Sequence, residues 1–252
     1  MPLVGGIESI FRSVCAVARK RSTKSVGKIT HHICGTAFAL APRLFMTAAH
    51  VLDGPKEEFS LCTRVGEGQG LTAWPVIDYE PFLDIDVALV ECELPDAAMF
   101  RWHSQELDML TDVIAMGYPF AIDEADLVGR ARALKGYVVC ADTAEASEIR
   151  GTPRIYELSF QSPRGLSGAP LLVPTPQGLE VAGVMVKNRS TNLRFPTMAQ
   201  ATTERTGAET THTLVETQEI VHFGVAVQVG SIGALESARL VGKIAGMSGE
   251  SK

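Results

Sequence analysis

The stretch "SPRGLSGAPLLV", residues 162–173, sets Ser167 between Gly165 and Gly168 and then continues into a short apolar run. A serine hydroxyl is a weak nucleophile at neutral pH unless a base takes its proton and donors receive the charge on the attacked oxygen. Reading Ser167 as a nucleophile rather than a turn residue therefore requires a base, a group to orient that base, and a scaffold that unites them. The run "PLLV" reads as a strand, and Ala169 stands where the strand-to-helix elbow G-x-S-x-G has its second glycine. A scaffold of strands is expected around the serine.

The same texture extends in both directions. Runs such as "SVCAVARK", "HHICGTAFAL", "RLFMTAAHVL", "VALVECEL", "KGYVVCAD", "LEVAGVMV" and "VHFGVAVQV" alternate or stay apolar for a few residues before Gly, Pro, Asp or Asn breaks them. That is the pattern of strands in a sandwich or barrel, and no βαβ rhythm interrupts it. The break around "LPDAAMFRWHSQELD", residues 94–108, divides the strands into two sets of comparable size. The expected architecture is all-β: two antiparallel barrels over residues 1–105 and 106–230, then a C-terminal helix and tail over 231–252. In "SIGALESARLVGKIAGM", residues 231–247, Ile232, Leu235, Ala238, Val241 and Ile244 fall at helical spacing behind Ser231 as N-cap. This predicts a helix laid against the second barrel. Residues 189–218 are polar and threonine-rich, and read as a long loop.

Composition narrows the function classes. The 252 residues are 46% hydrophobic, enough for one large domain or two barrels of about 100 residues each. With 23 basic and 29 acidic residues the net charge is −6, and the one basic run is "ARKRSTK" at 18–24, so nucleic acid is not an expected partner. No segment approaches a membrane span of about 20 apolar residues. The start "MPLVGGIESIFRS" lacks the basic and apolar regions of a signal peptide. A cytoplasmic location without a membrane partner is expected. Five cysteines (Cys15, Cys34, Cys62, Cys92 and Cys140) without a CxxC pair are expected to be reduced thiols. They suggest neither a disulfide framework nor a zinc site, and no metal or cofactor is called for.

Among six histidines, His50 alone has a fixing context, at the end of "MTAAH", where Ala48 and Ala49 let neighbouring groups approach closely. His31 and His32 alternate across a strand and point to opposite faces, which argues against a shared metal. In "LDIDVALVECEL", Asp84 and Asp86 are expected on one face of a strand start. Asp86 adjoins the apolar run "VALV", where a carboxylate is costly unless paired, and an imidazole beside it would offset that cost. Either aspartate alone could simply end a loop. The order His50, Asp86, Ser167 puts base and acid in the first barrel and nucleophile in the second, so the site would form in the cleft between them. That order excludes the α/β-hydrolase arrangement, in which Ser comes first and His last.

With "GTAFAL", "MTAAHV", "DVALV", "GYP" at 117–119, "GLSGAP", "VAGVMV" and "FGVAV", the chain resembles a trypsin/chymotrypsin-fold serine peptidase. In style it is nearest to short bacterial trypsin-like domains and the HtrA-type protease domain. The resemblance implies that Ser167 attacks a peptide carbonyl, His50 shuttles the proton, Asp86 orients the imidazole, and the N–H groups of Gly165 and Ser167 form the oxyanion hole. It also implies a protein or peptide substrate. Gln161 would lie at the base of the primary specificity pocket, with Val186, Lys187 and Asn188 as one wall and Gly224, Val225 and Ala226 as the other. A neutral Gln161 disfavours cleavage after Arg or Lys and points to a small, apolar or amide side chain.

The sequence departs from that family in four places. Cys34 has no cysteine at Val51 to pair with, and Pro163 replaces another bridge cysteine, which again points to a reducing compartment. Leu166 stands where zymogens carry the aspartate that pairs with a new N-terminus. The domain is therefore expected either to be competent as made or to be ordered around Gly165 by a regulatory protein partner. Val186 replaces a serine that supports the aspartate, leaving backbone donors near Ala49 and His50 to hold Asp86. The insertion 189–218 joins the two pocket walls and is positioned to cover the cleft or bind a regulator. The alternative function is a catalytically silent or partner-gated domain that holds a peptide as a binding or signalling module.

Overall fold

The computed structural model describes residues 13–22, 29–64, 71–95, 97, 99–119, 130–143, 149, 152–195, 204–206, 209–211, 217–232 and 238–242. In the first half, "VALVEC" forms a strand buried along its whole length, and so does "LFMTA". A strand covered on both faces needs an apolar residue at nearly every position rather than every second one. The charged exception, Glu91, is buried and paired with Arg43 at 3.1 Å. Six strands make the first barrel: β1 (Val14–Ser22), β2 (Ile29–Ala41), β3 (Leu44–Ala48), β4 (Phe59–Arg64), β5 (Leu71–Phe82) and β6 (Val87–Cys92). They close in the order β1-β2-β3-β6-β5-β4.

The second half contains β7 (Arg101–Trp102), β8 (Asp112–Gly117), β9 (Arg132–Thr143), β10 (Arg154–Leu158), β11 (Pro170–Thr175), β12 (Gly178–Phe195), β13 (Glu204–Thr206), β14 (Glu209–Thr211) and β15 (Thr217–Gln228). The order β11-β8-β9-β10-β15-β12 is closed by pairing of β11 with β12, giving a second six-stranded antiparallel barrel. The short β7 adds to β12 in parallel. Strand alternation serves two cores at once. Leu171, Val173, Met185 and Ala226 fill the interior of the second barrel, whereas Leu172, Val184, Val186, Val225 and Val227 join the core that runs through the first. The barrels are thus docked by side chains that alternate with those filling one of them. The connecting segment adds an aromatic contact, with Phe100 and Trp102 edge-on to buried Phe38 at 6.4 and 6.3 Å.

Two expectations are corrected. Residues 189–218 do not begin or end as a loop: β12 runs on to Phe195 and pairs with β15 from Thr217, so the insertion leaves the barrel as a two-stranded ribbon. Threonine is β-branched and suits a pleated strand as well as it suits a polar loop. The span 231–247 is not one helix against the second barrel. A helical turn at Val229–Ile232 is followed by another over residues 239–242, with 233–237 outside the described residues along with Leu235 and Ile244. Ser231 is not an N-cap; its hydroxyl accepts the Arg154 N–H at 2.7 Å. The second turn docks on the first barrel, where the Glu80 carboxylate accepts the N–H groups of Arg239 (3.2 Å) and Leu240 (2.9 Å). Asp78 pairs with the Arg239 guanidinium at 2.8 Å, which holds its carboxyl below the usual carboxylate range. Among the described residues no helix is long and apolar enough to cross a membrane.

Candidate active site

β3 delivers Ala48 to the edge of the first barrel, and a single 3-10 turn, Ala49–Leu52, follows. Its Ala49, Val51 and Leu52 are buried, which leaves His50 outside with its side chain 49% exposed. Asp86 belongs to the turn before β6 rather than to the strand, so the expected shared strand face with exposed Asp84 is not formed. Its φ is +52°, a left-handed conformation that aspartate tolerates better than most residues. This kink aims three groups of Asp86 at the histidine turn. Its carbonyl accepts the Ala49 N–H (3.0 Å), and its Oδ1 accepts the His50 N–H (3.1 Å). Its carboxylate faces His50 Nδ1 at 2.8 and 3.1 Å. A carboxylate only accepts, so this contact assigns the proton to Nδ1 and leaves Nε2 with its lone pair outward.

Ser167 follows a tight turn in the second barrel. The Leu166 N–H donates to the Pro163 carbonyl at 3.0 Å, and Gly165 has φ +92°, the value of the third position of a type II turn. A Cβ on Gly165 would collide with the Tyr118 carbonyl oxygen, so both conformation and space require glycine. Leu166 is buried in the core of the second barrel. Its apolar packing anchors the turn where an ion pair is unavailable. The N–H groups of Leu166, Gly168 and Ala169 donate to backbone carbonyls. Among the described residues, no acceptor takes those of Gly165 and Ser167, the two donors that an oxyanion would need.

The two halves meet through groups that sequence reasoning missed. The buried Thr36 hydroxyl of β2 accepts the Tyr118 N–H at 3.0 Å and donates to the Gly165 carbonyl at 2.7 Å. The Thr36 N–H donates to the Ser167 carbonyl at 2.8 Å, and the Thr47 hydroxyl donates to the Thr36 carbonyl at 2.7 Å. Gly168, at φ +83°, lies so close to Thr36, Thr47 and Ala48 that a Cβ has no place there. Ser167 thereby abuts the strand end that carries His50. The Ser167 hydroxyl itself donates to the Val186 carbonyl at 3.4 Å rather than to the imidazole. Val186 is the extra residue of a β-bulge, since Met185 pairs with Ala226 and Lys187 with Val225. The bulge takes its carbonyl out of the ladder and turns it toward the serine. The local "GT" of "CGTAF" was the sequence's sole trace of Thr36, and nothing local marks the bulge.

The expected pocket residues divide. Gly224 is the register partner of Asn188 and donates its N–H to the Phe160 carbonyl at 2.7 Å. Lys187 is half-buried and Asn188 is exposed on the same stretch as Val186. Val186, Val225 and Ala226 are buried with their side chains in the cores, so they contribute backbone rather than a lining. Gln161 is exposed, and its neighbour Ser162 is buried. None of the five cysteines, all of them among the described residues, is in a disulfide. Cys34 Sγ donates to the carbonyls of Val17 (3.3 Å) and Val51 (3.7 Å), and burial pushes the Cys62 thiol up to about 12 and the Cys92 thiol up to about 11.

Two closed six-stranded antiparallel barrels, with His50 in the turn after β3 of one and Ser167 in the turn before β11 of the other, define a chymotrypsin-like fold. Residues 35–184 match the trypsin-like peptidase domain, and the chain belongs to that family; serine-protease activity is what this membership supports. No curated protein matches the chain. Solved structures give the same fold. The Rv3671c protease from M. tuberculosis in its active form is 19% identical, with 92% of this chain and 82% of that one covered at a TM-score of 0.56. The MamO protease domain from Magnetospirillum magneticum is 13% identical over 90% and 96%, at 0.58. The HtrA-type protease AlgW, solved with a decapeptide, is 12% identical over 91% and 66%, at 0.60.

Proposed function

We propose that this protein is a serine endopeptidase that hydrolyses peptide bonds through His50, Asp86 and Ser167 and an acyl-enzyme intermediate. The observation that carries the reading is the His50 Nδ1–Asp86 contact at 2.8 Å, which leaves Nε2 available as the base, beside a second barrel whose Gly165 and Ser167 N–H groups have no acceptor among the described residues. When a substrate amide takes the Val186 carbonyl, the Ser167 hydroxyl is released to give its proton to Nε2. Its Oγ then bonds to the carbonyl carbon, and the N–H groups of Gly165 and Ser167 receive the oxyanion. One such donor contributes roughly 2.7–4 kcal/mol to lowering the barrier. Breakage of the C–N bond carries the proton from Nε2 to the leaving amine, and water repeats the sequence in reverse roles to free Ser167. A peptide is the expected ligand, as in the AlgW structure with its decapeptide.

The competing reading, a silent or partner-gated cleft that only holds a peptide, draws on the resting bond from the Ser167 hydroxyl to Val186. Rapid mixing with a p-nitrophenyl ester separates the two. An endopeptidase gives a stoichiometric burst of p-nitrophenol and an acyl adduct on the peptide containing Ser167, and both vanish in Ser167→Ala and His50→Ala. A folded wild-type protein with neither burst nor adduct contradicts the proposal and favours the binding module.

A further inference from the structure

We infer that Asn188 closes the pocket beside Ser167 and restricts the protein to substrates with a small side chain, of the glycine, alanine or serine class, on the acyl side of the cleaved bond; the inference rests on the endopeptidase reading. The two chain segments that lead away from the serine, residues 160–162 and residues 186–188, flank Gly224. Gly224 lies between them: a Cβ added there would lie 2.7 Å from the Phe160 carbonyl oxygen, 3.3 Å from Met185 Cε and 3.5 Å from the Ser162 nitrogen. The space next to Gly224 is therefore already filled. The Asn188 amide spans from one segment to the other. Its Nδ2 donates to the Ser162 carbonyl at 2.7 Å, and its Oδ1 accepts the Ser162 N–H at 2.5 Å.

This clasp uses one donor and the acceptor of the amide together with both backbone groups of Ser162, a buried residue. Any side chain large enough to part the two segments strips Ser162 of both partners, and unmade hydrogen bonds in a buried place are expensive. A methyl or hydroxymethyl group stops above the clasp and leaves it intact. Asn188, tied to Ser162 by both of its amide groups, is then the residue that sets the preference.

Peptidyl diphenyl phosphonates that differ only in the side chain next to phosphorus (Ala, Val, Phe or Lys) test this directly. They bond to an activated serine oxygen with loss of phenol, and mass spectrometry reads the rate at Ser167. In the wild type the Ala reagent is expected to react at least about tenfold faster than the Phe or Lys reagents, the scale on which apolar pockets discriminate. Asn188→Gly and Asn188→Ala are expected to raise the Phe rate relative to Ala by about the same factor. Asn188→Asp, which keeps the acceptor for the Ser162 N–H but loses the donor, is expected to fall between. Should Asn188→Gly fail to fold by circular dichroism, Asn188→Ala and the wild-type ratio still decide. Equal rates for all four reagents in the wild type, or an unchanged ratio in the variants, overturn the inference while leaving the endopeptidase reading in place. Absence of reaction with every reagent in folded wild type overturns both.

Discussion

In the first barrel the His50–Asp86 pair is completed locally, by a turn and a loop of that barrel. His50 and Asp86 stand 36 positions apart on adjoining turns, and three contacts from Asp86 hold both the backbone and the ring. In the second barrel the serine turn is completed from outside: its Gly165 carbonyl is held by Thr36, 129 positions away in the other barrel. On the proposed function, the contrast teaches that the two half-sites are expected to fail in different ways. Damage to the His50–Asp86 half is expected to change chemistry without loosening the fold. Damage to the Ser167 half is expected also to undo the docking of the barrels.

The sharpest way to separate the halves is Asp86→Asn. Asparagine tolerates the φ of +52° as aspartate does, so thermal melting is expected to stay near wild type. Loss of the correct imidazole tautomer is expected to lower kcat by about 10⁴. A large fall in Tm alongside would show that the base half is not locally completed. Next comes Gly168→Ala, which forces a side chain into the junction against backbone at φ +83°. Urea denaturation is expected to show about 3 kcal/mol or more of lost stability, together with lost activity. An active, stable Gly168→Ala protein would contradict the tight inter-barrel contact.

Thr36→Val is expected to be milder. It leaves the Tyr118 N–H and the Gly165 carbonyl without their shared hydroxyl, at about 1–3 kcal/mol of stability. As a positioning residue, Thr36 is expected to affect kcat by about tenfold or more with little change in KM, and Thr36→Ser to restore it. A purely structural role would predict unchanged kcat in the folded fraction. The smallest effect belongs to Arg239→Ala, remote from the cleft. Arg239 depresses the titration of Asp78, so its contribution is present above the usual carboxylate range and is lost as pH falls through the lowered value. Denaturation midpoints of wild type and variant are expected to differ at neutral pH and to converge in acid; parallel curves would remove Asp78 from the account.

The features legible in the sequence were those written in neighbouring residues. Short apolar runs around Phe38, Leu89 and Leu171 announced the barrels, and short motifs around His50, Asp86 and Ser167 announced which side chains to bring together. What escaped were relations between distant residues. The hydroxyl of Thr36 matters because of Tyr118 and Gly165, the carbonyl of Val186 because of a bulge against β15, and Asn188 because of Ser162. None of these partners lies within reach of a local pattern. The C-terminal expectation failed for a related reason. Helical spacing over 231–247 described which residues are apolar, but Glu80 on β5 decides where the second turn begins. The span 189–218 misled in the opposite sense, since polarity suggested a loop where residues 189–195 pair with the partner strand from Thr217 as a ribbon.

Labelling with a fluorophosphonate reagent, read by mass spectrometry on the peptide containing Ser167, tests most directly whether the two half-sites act as one. The expected result is one adduct per chain in the wild type, at a rate that collapses in His50→Ala and Asp86→Asn although both keep the wild-type circular dichroism spectrum. Labelling of Ser167 at the same rate in all three proteins, or no labelling of a folded wild type, would contradict a serine activated across the junction of the barrels.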